Sequence, residues 1–484
     1  MLRLSEDALR TRPLNANIKI GSYPRVAAPK VVHIGVGAFH RAHQAAYFDD
    51  LNRQCPDTPW LIQGASLRSS TAADQLNPQN GLYLHIAQSA QDAKIRVIRS
   101  LVGVLNGFDN PQSLIASIAS PATQLITLTI TEKGYCIDTV SNALDLENPD
   151  VQADCKDLQT PRTAIGYLVA GLRLRRENNG PPITVLSCDN LSHNGRLTAQ
   201  AVHTLAAIHS KALADWITQN VSFPASMVDR IAPAITHEDY TSGQHLLNLE
   251  DQALAMTEQF SQWVIEDNFA GERPPLECTG VEFVASVDAW EQRKLRLLNA
   301  AHSGLAYLGG LMDIQYVHEA VAMPALRTML EALWQEALYT LAPDDAFDAM
   351  GYCDALLRRF ANPHLNHRLY QIATDGSQKL PQRVIRPLTE RLEHGLSSPT
   401  MTQILAAWLL WQWGTTFSGR RFTVNDPLAI HFSQATAGSA RDDLVAIDKL
   451  VAAYAPLKAL CGQSARLRED LRAAYEALAK RFTP

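Results

Sequence analysis

The sequence predicts a two-part protein: an α/β domain with a doubly wound sheet over residues 1–288, and a mainly α-helical domain over 289–484. Three observations predict it. From about residue 30 to 285, short β-branched runs alternate with longer helical patterns, the spacing of parallel strands joined by crossover helices. Beyond Trp290, strand-like runs become rare, and Ala, Leu, Arg and Glu fill stretches of helical pattern. Between the two lie Pro274-Pro275 and a strand-like Val281–Val287, which mark a boundary.

Four runs read as buried strands: Val31–Val36, Leu61–Ala65, Leu125–Ile130 and Ile183–Cys188. Each is short, apolar and bounded by Gly, Pro or polar residues. Helical patterns flank them at Ala38–Leu51, Arg162–Arg176 and Ala199–Asn220. In the second part, helices are expected over 291–313, 323–342, 379–395, 401–413 and 440–480.

Composition narrows the function classes. The chain has 484 residues, 46% hydrophobic and 19% charged, with a net charge of −6, an ordinary globular balance. Nucleic-acid binding requires a clustered basic face. The densest basic run, Leu172-Arg-Leu-Arg-Arg176, reads instead as the solvated side of a helix. Seven scattered cysteines with no Cys-x-x-Cys pair suggest a reducing compartment, and the N-terminus does not resemble a signal peptide. The most apolar helical run, Ile404–Trp413, is far short of the roughly 20 residues that span a bilayer. A cytoplasmic protein with neither nucleic-acid nor membrane partners is expected, as a monomer or small homo-oligomer.

The first strand runs into Gly35-Val-Gly37-Ala38-Phe39-His40-Arg-Ala-His43. Glycines at 35 and 37 permit a tight turn and a close backbone approach to a pyrophosphate, and the next helix presents its N-terminus to the anion. His40 takes the place of the third glycine of the usual Gly-x-Gly-x-x-Gly, and a turn without ligand has the same first two glycines. His40 and His43 are too few for a metal site, and none is expected. Past the second strand the chain reads Ser66-Leu-Arg68-Ser-Ser-Thr71, with no carboxylate before Asp74. An acidic residue there favours NAD and a basic one accommodates the additional phosphate of NADP, so Arg68 is compatible with either.

The most informative stretch is Glu291-Gln-Arg-Lys294-Leu-Arg-Leu-Leu-Asn299-Ala-Ala-His302. At 100° per residue, Glu291, Lys294, Asn299 and His302 share an arc of roughly 140°. Leu295, Leu298 and Leu305 are placed to pack toward the interior. A lysine desolvated among apolar neighbours becomes a general base near neutral pH, Asn299 can donate to a carbonyl or alkoxide oxygen, and His302 can orient either group. A solvated helix face has the same spacing. Three polar patches adjoin strand ends: Thr129-Ile-Thr131-Glu132-Lys133, Ser187-Cys-Asp189-Asn190 and Met227-Val-Asp229-Arg230. Each is also a composition of turns, but their recurrence at strand ends suits a shared cleft.

Taken in order, Gly35–Gln44, Thr127–Cys136, Leu186–Leu191, Phe223–Ile231, Gln262–Phe269, Lys294–His302 and Asp375–Arg383 closely resemble the polyol-specific long-chain dehydrogenases, the family of mannitol 2-dehydrogenase and fructuronate reductase. The resemblance implies a Rossmann-like N-terminal domain that binds NAD, with NADP also admissible, and a helical substrate domain. It implies metal-independent hydride transfer at a secondary alcohol or ketone. Lys294 would be the general base, Asn190 and Asn299 an oxyanion hole, His302 the orienting group and Glu291 part of a proton path. Asp229 would line the site beside the cofactor residues Gly35, Gly37, Ala38, Phe39, Arg68, Thr131 and Glu132. The stretch Asn366–Arg383 looks more like the fructuronate reductases, in which Arg368, Lys379 or Arg383 would hold a substrate carboxylate by charge-assisted bonds. Two departures stand out: Ala300-Ala301 replace the usual Gly-Ser, and no acidic discriminator is present at Ser70–Thr71. The expected reaction interconverts D-mannonate and D-fructuronate. The alternatives are a dehydrogenase of neutral polyols such as mannitol or arabinitol, and a nucleotide-binding sensor that does not turn over.

Overall fold

The computed structural model describes residues 1–12, 14–138 and 141–481, and the chain divides into two compact units, Met1–Asp288 and Ala289–Pro484. The first unit is built on a six-stranded, wholly parallel sheet. Its order is Leu101–Asn106, Ile62–Ser66, Val31–Ile34, Leu125–Leu128, Ile183–Ser187, Val221–Ser222. From the central Val31–Ile34 the chain moves outward along one side, returns, and moves outward along the other. That reversal is the doubly wound topology, and it places a crevice between the carboxyl ends of Val31–Ile34 and Leu125–Leu128.

Alternation along the central strand explains its burial on both faces. Val32 and Ile34 pack with Ile118, Leu168 and Val202, while Val31 packs with Phe48, Leu51 and Trp263. The strand-adjacent helices include Ala38–Ala42, Gln44–Gln54, Pro111–Ala119, Ala164–Glu177, Asn194–His209 and Lys211–Asn220. Two of the expected helices are each split in two. His43 leaves helical dihedrals (φ −119°, ψ −86°), its ring packed on Phe39 and Trp263 and bonded to the Gln262 carbonyl, so Ala38–Leu51 is not one helix. Ser210 turns extended (φ −166°, ψ 123°) and divides the Ala199–Asn220 pattern, which also begins earlier, at Asn194.

The basic run 172–176 is a solvated face only in part: Arg173 and Arg176 are half-exposed. Arg175 is fully buried. It donates to the carbonyls of Pro181 (2.7 Å), Ile118 (3.1 Å), Ser120 (2.7 Å) and Thr123 (3.0 Å), tying together the loops beneath the sheet. A guanidinium with five donors in a fork meets this set of buried acceptors as no other side chain can. Two smaller sheets complete the unit. One is Ile18–Ile20, Ala93–Ile98, Tyr83–Gln88 and Ala255–Glu258; the other is Ser226–Asp229, Gln262–Glu266 and Glu282–Val284.

The second unit contains no strand among its described residues. Its centre is Pro399–Trp411, a helix buried from Thr400 to Trp411 except at Gln403. Ala300–Leu311, Pro324–Leu338 and Ala465–Ala479 pack on it. The 440–480 pattern resolves into three helices, Leu444–Ala453, Ala455–Gln463 and Ala465–Ala479. No described helix is long and apolar enough to cross a membrane.

Candidate active site

In the first unit, the turn after the central strand has the shape a dinucleotide phosphate needs. Gly35 adopts φ +99°, and a Cβ there would stand 2.1 Å from the Thr129 carbonyl oxygen. Only glycine fits. The Gly37 N–H closes the turn on the Gly35 carbonyl at 2.7 Å. A Cβ at Gly37 would meet nothing closer than 3.8 Å, and Gly37 and Ala38 are exposed, so the backbone there is open to a ligand.

The turn is braced from behind. The Gly35 carbonyl accepts from the Thr129 hydroxyl at 2.7 Å, and His33 Nε2 lies 3.2 Å from the same oxygen and 2.9 Å from the Thr129 hydroxyl. His33 Nδ1 pairs with the Thr127 hydroxyl at 2.7 Å. His40, at the third-glycine position, stacks on His33 with ring centroids 3.4 Å apart. Two buried imidazoles thus fill the space between helix and strand that a glycine would have closed. Burial lowers the His33 pKa to about 3 and holds His40 far below the ordinary histidine value, so both rings are neutral.

Across the crevice, Asp189 shapes the neighbouring loop. Its carboxylate accepts from the N–H groups of Ile130 (2.9 Å) and Thr131 (3.0 Å) and from the Tyr135 hydroxyl (2.8 Å). Thr131 is held at φ +64°, a conformation that is strained for a β-branched residue. Thr131, Glu132 and Asn190 are exposed, Asn190 directly after Asp189, while Asp229 is buried at the end of Ser226–Asp229. Arg68 and Ser69 are exposed beyond the end of Ile62–Ser66.

In the second unit, the stretch read as one α-helix is three pieces. An α-helix over Asp288–Arg293 passes into a π-helix over Lys294–Asn299 and then into an α-helix over Ala300–Leu311. The Ala300 N–H donates to the Leu295 carbonyl, five residues back. The 140° arc, calculated for continuous α-geometry, is therefore corrected. In an i→i+5 turn, residues five apart come one above the other, and Lys294 and Asn299 are five apart. The same change rotates Leu295 to a half-buried position and puts Leu297 in the core beside Leu298 and Leu305. Glu291, Lys294, Asn299 and His302 are all buried, so a solvated helix face is excluded.

A second π-helix, Pro381–Ile385, packs against the first. From it Arg383 donates to the Asn299 carbonyl at 3.4 Å and to the Ser303 hydroxyl at 3.2 Å. The ladder shifts from i−5 to i−4 bonding at Asn299, and side chains supply donors to its carbonyl there, the Ser303 hydroxyl (3.1 Å) among them.

His302 Nε2 is buried with no hydrogen-bond partner among the described residues. Its ring lies 4.6 Å from Phe360 and 5.1 Å, edge-on, from His367. Burial holds its pKa far below the usual histidine value, reinforced by His367, Arg383, Arg359 and Lys294. Burial and the nearby Lys379 ammonium lower His367 to about 4. The Lys379 ammonium donates to the Thr374 carbonyl at 2.7 Å. Arg368 is exposed at the start of Leu369–Ile372.

Sequence reasoning gave no role to Arg359, His367, Asp189 or His33. His367 stands beside Arg368 in the stretch already singled out, and Asp189 beside Asn190. Arg359 has no sequence signal, because a basic last turn is the ordinary end of any helix.

Two family models cover the chain: the mannitol dehydrogenase Rossmann domain matches residues 29–278, and the mannitol dehydrogenase C-terminal domain matches 286–479. A D-mannonate oxidoreductase of Escherichia coli (strain K12) is 39% identical over 447 residues, 91% of this chain and 89% of the relative. A mannitol 2-dehydrogenase of Phaeosphaeria nodorum (strain SN15) is 37% identical over 420 residues, 85% of this chain and 74% of the relative. Among solved structures, the Pseudomonas fluorescens mannitol 2-dehydrogenase in ternary complex with NAD and D-mannitol superimposes with a TM-score of 0.89 at 33% identity. That match covers 99% of this chain and 96% of the other. On the strength of both matched domains and these full-length relatives, the chain belongs to the mannitol dehydrogenase family of oxidoreductases.

Proposed function

We propose that this protein is an NAD-dependent oxidoreductase that interconverts a sugar-derived secondary alcohol and its ketone, with D-mannonate and D-fructuronate as the pair. The first unit would hold the dinucleotide and the second the catalytic groups. The observation that carries the reading is His302: a buried, neutral imidazole whose Nε2 has no partner among the described residues, next to a π turn that aligns Lys294 with Asn299. A buried polar atom without a partner is costly unless a ligand supplies one.

The open, glycine-bearing turn at Gly35–Phe39 fits a pyrophosphate, with Thr131, Glu132 and Asp229 at neighbouring strand ends. When bound, the nicotinamide accepts hydride in one direction and donates it in the other. Lys294 Nζ takes the hydroxyl proton during oxidation and returns it during reduction, with Glu291 passing it to solvent. Asn299 donates an amide N–H bond to the oxygen as charge develops on it, and the resemblance to the family gives Asn190 the same role. His302 fixes that oxygen through Nε2, and as a neutral ring it competes with Lys294 for no proton.

Among the groups that bear on His302, the Arg359 guanidinium favours a uronate over a neutral sugar. A carboxylate placed there would meet Arg359 and Lys379, with Arg368 nearby in sequence and exposed. The mannitol 2-dehydrogenase relatives support a second reading, a dehydrogenase of neutral polyols. A sensor that binds nucleotide without turnover would have no use for a buried lysine, amide and imidazole together.

The test is initial rates of NADH oxidation with D-fructuronate beside D-fructose. Preference for fructuronate, weakened selectively by Arg359→Met or Arg368→Ala, supports the uronate reading. Preference for fructose moves the enzyme to the polyol reading. Nucleotide binding without turnover of either ketone supports the sensor.

A further inference from the structure

We propose that Cys55 and Cys278 are a redox pair: two thiols in the reduced protein, and an intramolecular disulfide once a hydroperoxide has oxidised them. The bond would fasten the end of the helix Gln44–Gln54 to the turn Leu276–Thr279. The two cysteines are far apart in sequence and meet only through the fold.

Cys55 ends the helix Gln44–Gln54, its N–H donating to the Leu51 carbonyl at 2.8 Å. Cys278 lies in the 3-10 turn Leu276–Thr279, which packs on that helix. Two contacts set the spacing of the backbones. Leu276 is fully buried in one core with Phe48 and Leu51, against which Cys55 also packs. The Gln54 side-chain amide donates to the Cys278 carbonyl at 3.2 Å. With the backbones held in this way, the Cys55 thiol is within hydrogen-bonding reach of the Cys278 thiol. Cys278 Sγ also donates to the Pro275 carbonyl at 3.0 Å, a weak bond for a thiol, so side-chain rotation is enough to join the sulfurs.

Cys278 is exposed and Cys55 half-buried, so an oxidant reaches Cys278 first. Burial, the Cys55 thiol and the Glu277 carboxylate push the Cys278 pKa up, so little thiolate is present at neutral pH and the pair reacts slowly there. The Cys278 thiolate attacks one peroxide oxygen: an S–O bond forms, the O–O bond breaks, and hydroxide leaves to become water. The Cys55 thiolate then attacks the Cys278 sulfur: the S–S bond forms, the S–O bond breaks, and a second water departs. Two electrons pass from the two sulfurs to the peroxide, and a thiol reductant reverses the bond. In a reducing compartment such a disulfide is transient rather than structural. Its loop encloses most of the first unit, and a long loop is the case in which a cross-link most restricts the unfolded chain.

The test treats the reduced, full-length protein with a slight excess of hydrogen peroxide at about pH 8.5, where thiolate is available. Residual thiols are capped with N-ethylmaleimide, and peptides are mapped without reduction by mass spectrometry. The expected product is a peptide pair joined through Cys55 and Cys278 and separated by dithiothreitol. The thermal unfolding midpoint should rise by at least about 3 °C over the reduced protein. Cys55→Ser should leave Cys278 as a sulfenic acid that dimedone traps, and neither Cys55→Ser nor Cys278→Ser should show the rise. A wild type in which Cys278 is trapped by dimedone without a linked peptide overturns the proposal. So does linkage of either cysteine to a different one, or no reaction at either. An oxidised midpoint no higher than the reduced one overturns the fastening of helix to turn. Oxidised and reduced wild type share one sequence, so that comparison holds even where a serine variant misfolds.

Discussion

Arg383→Met separates two roles that one guanidinium can play. Methionine retains most of the aliphatic stem and removes the donors to the Asn299 carbonyl (3.4 Å) and the Ser303 hydroxyl (3.2 Å). Both distances are at the long end for N–H···O bonds, so each is worth about 1 kcal/mol, below the usual range for a charged donor. The loss of about 2 kcal/mol corresponds to roughly 30-fold in rate if it falls on the placement of Asn299 in the transition state. As a positioning residue, Arg383 should act alike on charged and neutral ketones. The expected result is a fall in kcat of about 10- to 50-fold with both D-fructuronate and D-fructose, and KM values within about twofold of wild type. Steady-state initial rates over a range of each ketone, at saturating dinucleotide, read this directly. A rise in KM for fructuronate alone, with kcat preserved, would refute the reasoning, because Arg383 would then be holding the substrate carboxylate rather than the π turn.

Gly35→Ala places a Cβ 2.1 Å from the Thr129 carbonyl oxygen at φ +99°, so dinucleotide affinity should fall at least roughly tenfold in a fluorescence titration. Unchanged affinity would show that the turn does not contact the ligand. Arg175→Met leaves four carbonyls short of a donor and should cost about 3–5 kcal/mol in urea unfolding, with the largest part from buried acceptors left unpaired; a loss under about 1 kcal/mol would contradict the clamp. His367 provides the pH test. Its folded pKa of about 4 lies below the unfolded value near 6.5, so its contribution is intact above 6.5 and is lost as pH falls toward 4. At pH 5 the cost is about 2 kcal/mol, and the stability gap between wild type and His367→Gln should shift by that amount between pH 7 and 5, against the wild type. A gap independent of pH would mean that the ring is not kept neutral.

Four strands of the large sheet were legible because each is a short, largely apolar run with no competing helical period, whereas Leu101–Asn106, half-buried at the edge, was not found. Val31–Ile34 and Ile183–Ser187 were found to within two residues at their carboxyl ends. The smaller sheets were not legible. Tyr83–Gln88 reads Tyr-Leu-His-Ile-Ala-Gln, with a buried histidine at its centre, and its exposed partner begins Ala93-Lys94, so neither shows a clean alternation. Arg175 was misread for a related reason: a basic residue in the last turn of a helix is ordinarily solvated, and only the return of the chain through Thr123 and Pro181 buries it. Long-range backbone acceptors leave no mark on local pattern.

The site shows the same division more sharply. Residue types suited to proton transfer were visible in Glu291, Lys294, Asn299 and His302, and their burial follows from the apolar residues between them. Their geometry was not visible, because the argument assumed 3.6 residues per turn. Under that assumption Lys294 and Asn299 sit at opposite ends of the shared arc, 140° apart, too far round the helix to address one oxygen. A π turn over just these six residues closes the gap, and the five-residue spacing, unremarkable on an α-helix, becomes the alignment that would make the proposed base and oxyanion donor neighbours. The i+5 ladder is a weaker helix, so something must hold it, and a second π-helix over Pro381–Ile385 packs on it while Arg383 caps the carbonyl where the two ladders meet. Proline at the head of that second turn donates no N–H to an α-helical ladder, and this favours the displaced bonding there. The sequence feature that supports the Lys294–Asn299 turn is thus Pro381-Gln-Arg383, some eighty residues downstream. Read from the chain alone, those residues suggest a substrate clamp; in the packing, Arg383 bonds to the Asn299 carbonyl and supports the Lys294–Asn299 helix in its less stable form.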